Sequence, residues 1–296
     1  MNIFSSKQLL MAASATFLLL TASGCKTIKE KNAKNIMPGT WQATPITIDG
    51  SNLDWPSPYP NYDSKAKIGY ATANNESYLY ITMETGDEMT QMKILKMGMI
   101  VSIDTGGGKN ISFSINYPLP NTNSELDLTS LEKGSKESPG GSARTLAKNI
   151  KTAKEQATQL SLEGFPQCHG GFVVGQNNEC GIQVRSSIDK FNDYVWEAAI
   201  PFKAIFGKAQ LTDAEYGKAI SVCYEVKGMK APKENTDNAN QSMGNNMGGR
   251  SSMGNAGINS RMGGGGGSVR NRQPESPWAH MYLTTKTWKQ FKLTKI

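Results

Sequence analysis

Three aromatic residues lie close together in a proline-rich stretch of the chain. Trp55, Tyr59 and Tyr62 are separated by prolines, which restrict the backbone and would hold the rings in fixed positions. Aromatic faces stack on the C–H surfaces of pyranose rings, and polar groups beside them can bind the hydroxyls. The spacing therefore predicts a carbohydrate-binding loop. The alternative is that Trp55 closes one end of the fold while the two tyrosines cover their own loop's backbone.

Candidate metal ligands are few. Only two histidines, His169 and His280, are present, which argues against a multi-histidine metal site and against histidine-based catalysis. Asp104 precedes three glycines and could offer oxygen ligands to Ca²⁺, but no further carboxylates follow at EF-hand spacing. We therefore expect Asp104 to cap a turn and predict no metal site.

The methionines are the remaining candidates for a cofactor site. A methionine on a strand could be an axial haem ligand, although such residues usually fill cores. The strand candidates are Met83, Met97 and Met99. A second series, at positions 243, 247, 253 and 262, could hold Cu(I) through thioethers, but its spacing is irregular. We expect no cofactor and keep haem binding as a less favoured alternative.

The chain carries no recognisable catalytic signature. It lacks a Gly-x-Ser-x-Gly elbow, a His-Glu-x-x-His motif and a phosphate-binding loop, so we do not expect an enzyme. The 32 basic and 25 acidic residues give a net charge of +7 that is spread along the chain. This distribution does not form a basic run, and we expect no nucleic-acid partner.

The cysteines suggest an oxidising compartment. Cys168 and Cys180 flank a Gly- and Asn-rich stretch, so a hairpin could bring them together in a disulfide. The pairing stays open, because the sequence does not fix the geometry between the two side chains. Cys223 alternates with apolar residues, and this pattern favours a small buried side chain.

Alternation of apolar and polar residues dominates from Trp41 onward, and it predicts half-buried strands bounded by turns. About ten strands are expected. They contain residues 46–48, 68–72, 79–83, 97–103, 111–117, 172–174, 182–184, 194–200, 220–226, 281–283 and 291–293. Many short strands joined by turns favour an all-β fold, an antiparallel β-sandwich with two sheets around one core.

Two insertions interrupt this pattern. Residues 121–165 combine a polar loop with one amphipathic helix that begins near Ser142 and has apolar residues at helical spacing from Leu146 to Leu160. The second insertion, residues 229–276, contains the stretch 241–268, in which 23 of 28 residues are Gly, Ser, Asn or Met. Such a composition buries too little apolar surface to order the chain, so we predict a disordered loop.

The first 24 residues have the pattern of an export signal. Lys7 precedes an apolar run at positions 9–20, which is too short to span a bilayer and is followed by small residues. The sequence Ala22-Ser23-Gly24-Cys25 resembles the lipobox of bacterial lipoproteins. This resemblance implies cleavage before Cys25, acylation of its sulfur and a membrane anchor, with residues 25–40 as a flexible tether. The alternative is an ordinary secretory signal.

Lys26 indicates to which of the two bacterial membranes the protein would be anchored. Lipoproteins that stay at the inner membrane usually have Asp after the acylated cysteine, whereas this chain has Lys26. The resemblance therefore implies the outer membrane, with the protein anchored on its periplasmic or cell-surface side.

Four further stretches, in their order, resemble the family 9 carbohydrate-binding modules and their wider sandwich superfamily, which includes domains of the dopamine-β-monooxygenase N-terminal type. They are Ile48–Trp55, Tyr78–Ile81, Val101–Thr105 and Trp196–Phe202. The resemblance implies a β-sandwich and a carbohydrate or haem ligand. Family members clamp the sugar between two tryptophans, and no second clamp tryptophan can be placed on this sequence.

One carboxylate in the last of these stretches is notable. Glu197 falls on the opposite strand face from Trp196 and Ile200. Because those two residues should face the core, we expect Glu197 to point to solvent or to pair with a cation.

Together these observations predict a non-catalytic lipoprotein of the outer membrane. Residues 41–296 would form a single β-sandwich domain that binds a polysaccharide, an oligosaccharide or a related extracytoplasmic ligand. The alternative is an envelope scaffold that recruits other envelope proteins through the loop at 241–268.

Overall fold

A computed structural model describes residues 36–120, 141–229 and 279–296. In these ranges the chain forms thirteen strands: β1 Met37–Pro38, β2 Thr40–Trp41, β3 Asn61–Asp63, β4 Ile68–Asn74, β5 Tyr78–Thr85, β6 Met99–Asp104, β7 Phe113–Asn116, β8 Gln159–Glu163, β9 Gly170–Val173, β10 Gln183–Ile188, β11 Tyr194–Pro201, β12 Ala219–Val226 and β13 Thr285–Lys292. The helices in the same ranges are α1 Glu88–Met97, α2 Gly141–Gln156, α3 Phe202–Phe206, α4 Asp213–Tyr216 and a 3₁₀ helix at Ala279–Tyr282. Cys25, the signal segment and the stretch 241–268 lie outside the described residues.

The strands form two sheets. The first has the order β1-β13-β12-β6-β7-β8-β9, and the second has the order β10-β11-β5-β4-β2, with β3 paired to β4. The pairs are antiparallel except β1 with β13 and β2 with β4, which are parallel. The all-β sandwich predicted from the sequence is confirmed.

The core lies between the two sheets, and the alternation of side chains decides what enters it. On β5, Leu79, Ile81 and Met83 face the core, while on β11 the even-numbered residues from Tyr194 to Ile200 do so. Tyr70 of the second sheet meets Tyr224 of the first, with ring centroids 5.0 Å apart. The opposite face of the second sheet, called here the outer face, therefore carries the odd-numbered residues of β11.

Two segments that alternate in sequence do not form strands, and the strand predicted at 97–103 begins two residues later, at Met99. Residues 46–48 have no strand partner, and residues 281–283 belong partly to the 3₁₀ helix. Met97, which the alternation placed at the start of that strand, instead ends helix α1. The end signals of this helix are present in the sequence: the Asp87 side chain accepts a hydrogen bond from the Thr90 amide, and Gly98 closes the C-terminus at φ 81°.

The predicted amphipathic helix is present as α2 and buries Leu146, Ile150 and Ala153. It ends at Gln156, so Leu160 lies on β8 instead of on the helix. The end of the segment interpreted as a tether also contains paired backbone, because Met37–Pro38 pairs with Phe291–Lys292.

Within residues 36–120, 141–229 and 279–296, no helix is both long enough and apolar enough to cross a bilayer.

Candidate functional site

The segment between β2 and β3, residues 42–60, covers the outer face of the second sheet. Ile46 and Trp55 are buried there in a small apolar cluster, and Tyr59 packs against it. The strand side of the cluster is formed by Ala71, Ala73, Tyr80 and Ala199. The small side chains of Ala71 and Ala73 on β4 leave room for the rings of Trp55 and Tyr59, which pack against the sheet.

Trp55 is held in this cover by a buried carboxylate. Its Nε1 donates a hydrogen bond to Oε1 of Glu197 at 2.6 Å, and the amide of Gly50 donates to Oε2 at 2.7 Å. Glu197 has no exposed surface and Trp55 is only 6% exposed. The expectation that Glu197 points to solvent or pairs with a cation is therefore wrong, because the covering segment supplies two neutral N–H donors.

The protonation of Glu197 follows from this position. Burial raises its pKa from 4.5 to about 7. The hydrogen bonds from Trp55 and Gly50 oppose the rise, and the nearby carboxylate of Asp49 adds to it. Trp55 and Glu197 thus lock the covering segment onto the sheet, and the Trp55 ring has no free face for a ligand.

Tyr59 is half-buried and fixed at its hydroxyl. That group is 3.1 Å from Oγ1 of Thr82, which in turn donates to the carbonyl of Trp196 at 3.0 Å. Burial raises the pKa of Tyr59 well above its ordinary value. The ring lies directly over Gly69, where a Cβ atom would come within 3.3 Å of Cδ2, so only glycine fits beneath it without displacement.

Tyr62 lies on the short strand β3 and is 67% exposed. Tyr59 and Tyr62 both border a cleft of about 480 Å³, called here the tyrosine cleft. Its other lining residues are Pro58, Asn61, Lys67, Gly69, Glu84, Thr85, Gly86, Asp87 and Asp193. Of the three predicted ligand contacts, Tyr59 and Tyr62 thus line this cleft, whereas Trp55 is not among its lining residues.

The charged groups of the tyrosine cleft are mainly acidic. Lys67 forms an ion pair with Asp87 at 2.7 Å, and Asn52 donates to Oε2 of Glu84 at 3.1 Å. Within the ranges that the structure describes, neither Glu84 nor Asp193 forms an ion pair. Their oxygens are therefore available as hydrogen-bond acceptors.

The pKa values of these carboxyls reflect burial and mutual repulsion. Burial raises the pKa of Glu84, the hydrogen bond from Asn52 opposes this, and the carboxylates of Asp193 and Asp189 raise it further. Burial and Asp189 likewise raise the pKa of Asp193. The cleft therefore offers an aromatic face beside two carboxylates, and a hydrogen-bond donor on a ligand would stabilise their charged forms.

The sequence argument did not identify Glu84, Asp193 or Lys67 as site residues. A signal for Glu84 was available, because Leu79, Ile81 and Met83 face the core and residues 80, 82 and 84 must then face the covering segment. No comparable signal existed for Asp193, which lies before β11 and reaches the cleft only through the pairing of β11 with β5.

The other sequence candidates have structural roles. The Asp104 side chain accepts hydrogen bonds from the amides of Gly106 and Asn110, as expected of a turn cap. Met83 and Met99 belong to the core. No cluster of three or more His, Cys, Asp or Glu suited to a metal ion occurs in the part of the chain that the structure describes.

The cysteines of the β-sandwich are placed as follows. Cys168 and Cys180 form a disulfide, with Cα atoms 5.9 Å apart. Cys223 is free and buried on β12, and burial raises the pKa of its thiol to about 11. At neutral pH this thiol is therefore protonated and shielded from reagents.

No family model matches the chain, and no curated protein matches it. Among solved structures, it is similar to a family 9 carbohydrate-binding module from Caldicellulosiruptor kristjanssonii in complex with glucose, with 10% sequence identity and a TM-score of 0.28. The match covers 66% of this chain and 78% of the other. A likeness at this level does not transfer a binding site between the two proteins.

Proposed function

We propose that the β-sandwich is a non-catalytic carbohydrate-binding module and that the tyrosine cleft is its binding site. The observation that carries the proposal is the 67% exposed ring of Tyr62 beside the acceptor groups of Glu84 and Asp193 in a cleft of about 480 Å³. This volume lies within the usual range of small-molecule sites.

The chemistry of the cleft suits a sugar. The face of Tyr62 can stack on the C–H surface of a pyranose ring, which removes apolar area from water. The carboxylates of Glu84 and Asp193 can accept hydrogen bonds from sugar hydroxyls, and charge-assisted hydrogen bonds of this kind are stronger than neutral ones. Lys67, held by Asp87, offers a donor at the same rim.

The cleft is also largely formed before a ligand arrives. Tyr59 is fixed through Thr82, and β3 is paired with β4 through Tyr62 and Gly69. Rigid contact residues lose little conformational entropy on binding, so more of the interaction energy contributes to affinity.

The proposal places this module on a membrane. Acylation of Cys25 would attach the chain through its N-terminus, and more than one acyl chain is needed for lasting attachment. The support is the lipobox-like sequence before Cys25, with Lys26 favouring the outer membrane. The carbohydrate ligand would then be an extracytoplasmic polysaccharide or oligosaccharide.

A glycan array probed with the full-length protein tests the binding site. Tyr62→Ala should weaken retention on the best glycan by at least about tenfold, because it removes the exposed stacking face. Ile111→Ala is the matched control, since Ile111 is 57% exposed and precedes β7 of the first sheet. Retention on no glycan, or equal retention by both variants, would remove the tyrosine cleft as a sugar site.

A scaffold role is the second candidate function, and the composition of residues 241–268 is the observation that favours it. Deleting these residues separates the two functions. Loss of co-purifying envelope proteins with unchanged glycan binding would show that the segment recruits partners.

A further inference from the structure

A second cleft lies at the free edge of the second sheet. In the described chain β10 pairs only with β11, and residues of β10 line a cleft together with residues of the segment 175–182. This cleft has a volume of about 300 Å³ and is called here the arginine cleft. Its lining residues are Ile48, Leu160, Gly175, Gln176, Asn177, Asn178, Gly181, Ile182, Gln183, Val184 and Arg185.

Arg185 carries the only charge among these lining residues. It forms no ion pair with any residue in ranges 36–120, 141–229 and 279–296. Its Nη1 donates a hydrogen bond to the carbonyl of Val184 at 3.0 Å. A guanidinium has five N–H donors, so this single contact leaves most of the fork for another acceptor.

The backbone of Gly175, another lining residue, lies close to the guanidinium. It has φ +92°, and a Cβ atom there would lie 2.9 Å from Nη2 of Arg185. The absence of a side chain at position 175 therefore lets the loop backbone pack directly against the charged group. Any side chain here would push the guanidinium away.

The loop that forms this wall is fixed by several local bonds. The disulfide between Cys168 and Cys180 closes it. The Asn178 side chain donates to the carbonyl of Ile182 at 2.6 Å and accepts from the amide of Ile182 at 3.0 Å. The amide of Gly181 donates to the carbonyl of Asn178. The wall is thus formed without a ligand, which lowers the entropic cost of binding one.

We propose that the arginine cleft binds the carboxylate of an acidic sugar, a uronate. A planar carboxylate matches the guanidinium fork and can accept two parallel hydrogen bonds. The amides of Gln176, Asn177 and Gln183 can pair with sugar hydroxyls, and Ile48 provides an apolar contact. A cleft of about 300 Å³ is at the small end of ligand sites and suits a single sugar residue.

The charge of the tyrosine cleft strengthens this assignment. That cleft is lined by three carboxylates, Glu84, Asp87 and Asp193, and by one ammonium, Lys67. It repels an anionic sugar, whereas Arg185 attracts one. A polysaccharide that contains both neutral and acidic sugars would therefore place its uronate at Arg185. The two sites do not depend on each other.

Calorimetric titration of the full-length protein with a uronate and with its neutral parent sugar tests the proposal. The uronate should bind more tightly, and added salt should weaken its binding. Arg185→Gln should reduce uronate affinity at least about tenfold, and Arg185→Lys should restore only part of it, because lysine lacks the fork. Arg144→Gln, which removes an exposed arginine of α2, is the matched control.

Two further measurements keep the proposal refutable if Arg185→Gln does not fold. Gly175→Ala should lower uronate affinity while keeping the charge of Arg185. In the unmodified protein, the uronate should slow amide hydrogen exchange in residues 175–185. Equal affinity for the uronate and its neutral parent, or unchanged exchange, would overturn the proposal. Equal affinity for acetate and the uronate would reduce the site to a simple carboxylate site and refute sugar recognition.

These outcomes are independent of the tyrosine cleft. Tyr62→Ala should leave uronate affinity unchanged, and Arg185→Gln should leave retention of neutral glycans unchanged. Failure of one proposal is thus distinguishable from failure of the other.

Discussion

Glu197→Gln should remove a defined part of the pH dependence of stability. Glu197 is fully buried and accepts hydrogen bonds from Trp55 and Gly50. Burial raises its pKa from 4.5 to about 7 in the folded protein. The folded state therefore holds this proton more tightly than the unfolded chain does. The resulting stabilisation is fully present below pH 4.5 and is lost as the pH rises through about 7.

The two pKa values set the size of the effect. At about 1.4 kcal/mol per pH unit, the interval from 4.5 to about 7 corresponds to about 3 kcal/mol in the free energy of unfolding. Glutamine has nearly the same shape but does not titrate. The free energy of unfolding of the unmodified protein minus that of Glu197→Gln should therefore fall by about 3 kcal/mol between pH 4.5 and pH 7.5.

Urea denaturation followed by tryptophan fluorescence and by circular dichroism, at several pH values across this range, measures the difference. Glu84 and Asp193 also have raised pKa values, but they titrate in both proteins and cancel. Glu155→Gln, at an exposed glutamate of α2, is the control and should track the unmodified protein. A difference that stays constant within about 0.5 kcal/mol, or that grows with pH, would refute the reasoning.

Three other changes have expected outcomes. Replacing Cys168 and Cys180 together with serine should lower the free energy of unfolding by about 3 kcal/mol, because the disulfide closes a loop with a sequence separation of 12; an unchanged urea midpoint would contradict this. Gly164→Ala should cost at least about 1 kcal/mol in the same assay, because Gly164 has φ +81° and an added Cβ would collide with the backbone of Ser112. Gly171→Ala, where an added Cβ meets nothing within 4 Å, should cost less. Cys25→Ala should abolish incorporation of labelled palmitate, and labelling that persists would exclude acylation at that cysteine.

The alternation of apolar and polar residues predicted the strands well where the segment pairs within a sheet and one of its faces packs on the core. The alternation at residues 79–83 and 194–200 placed both the strands and their core faces correctly, because adjacent side chains on a strand point to opposite sides. The same reasoning failed at residues 46–48. Ile46 is buried against the outer face of the second sheet without joining a ladder. Alternation of apolar and polar residues indicates that one side of a segment is buried, but it does not indicate whether that segment pairs in a sheet.

The candidate site was likewise predicted from the sequence only in part. Its aromatic residues were visible in sequence because rings between prolines are a local pattern, and Tyr59 and Tyr62 do border a cleft. The burial of Trp55, which removes it as a ligand contact, was not visible. It depends on a hydrogen bond from Trp55 to Glu197, a residue 142 positions away.

The amino-acid sequence alone thus determined the all-β class, the core-facing side of the strands at residues 79–83 and 194–200, and the placement of Glu197 on the opposite strand face from Trp196 and Ile200. Only the tertiary structure decided that residues 42–60 cover that outward face, so that a carboxylate expected in water is buried with two N–H donors. It also decided which acidic groups line the tyrosine cleft and which loop faces Arg185. The physical reason is the sequence distance over which each property is set. Strand periodicity depends on neighbouring residues, whereas burial and charge environment depend on segments that are far apart in the chain.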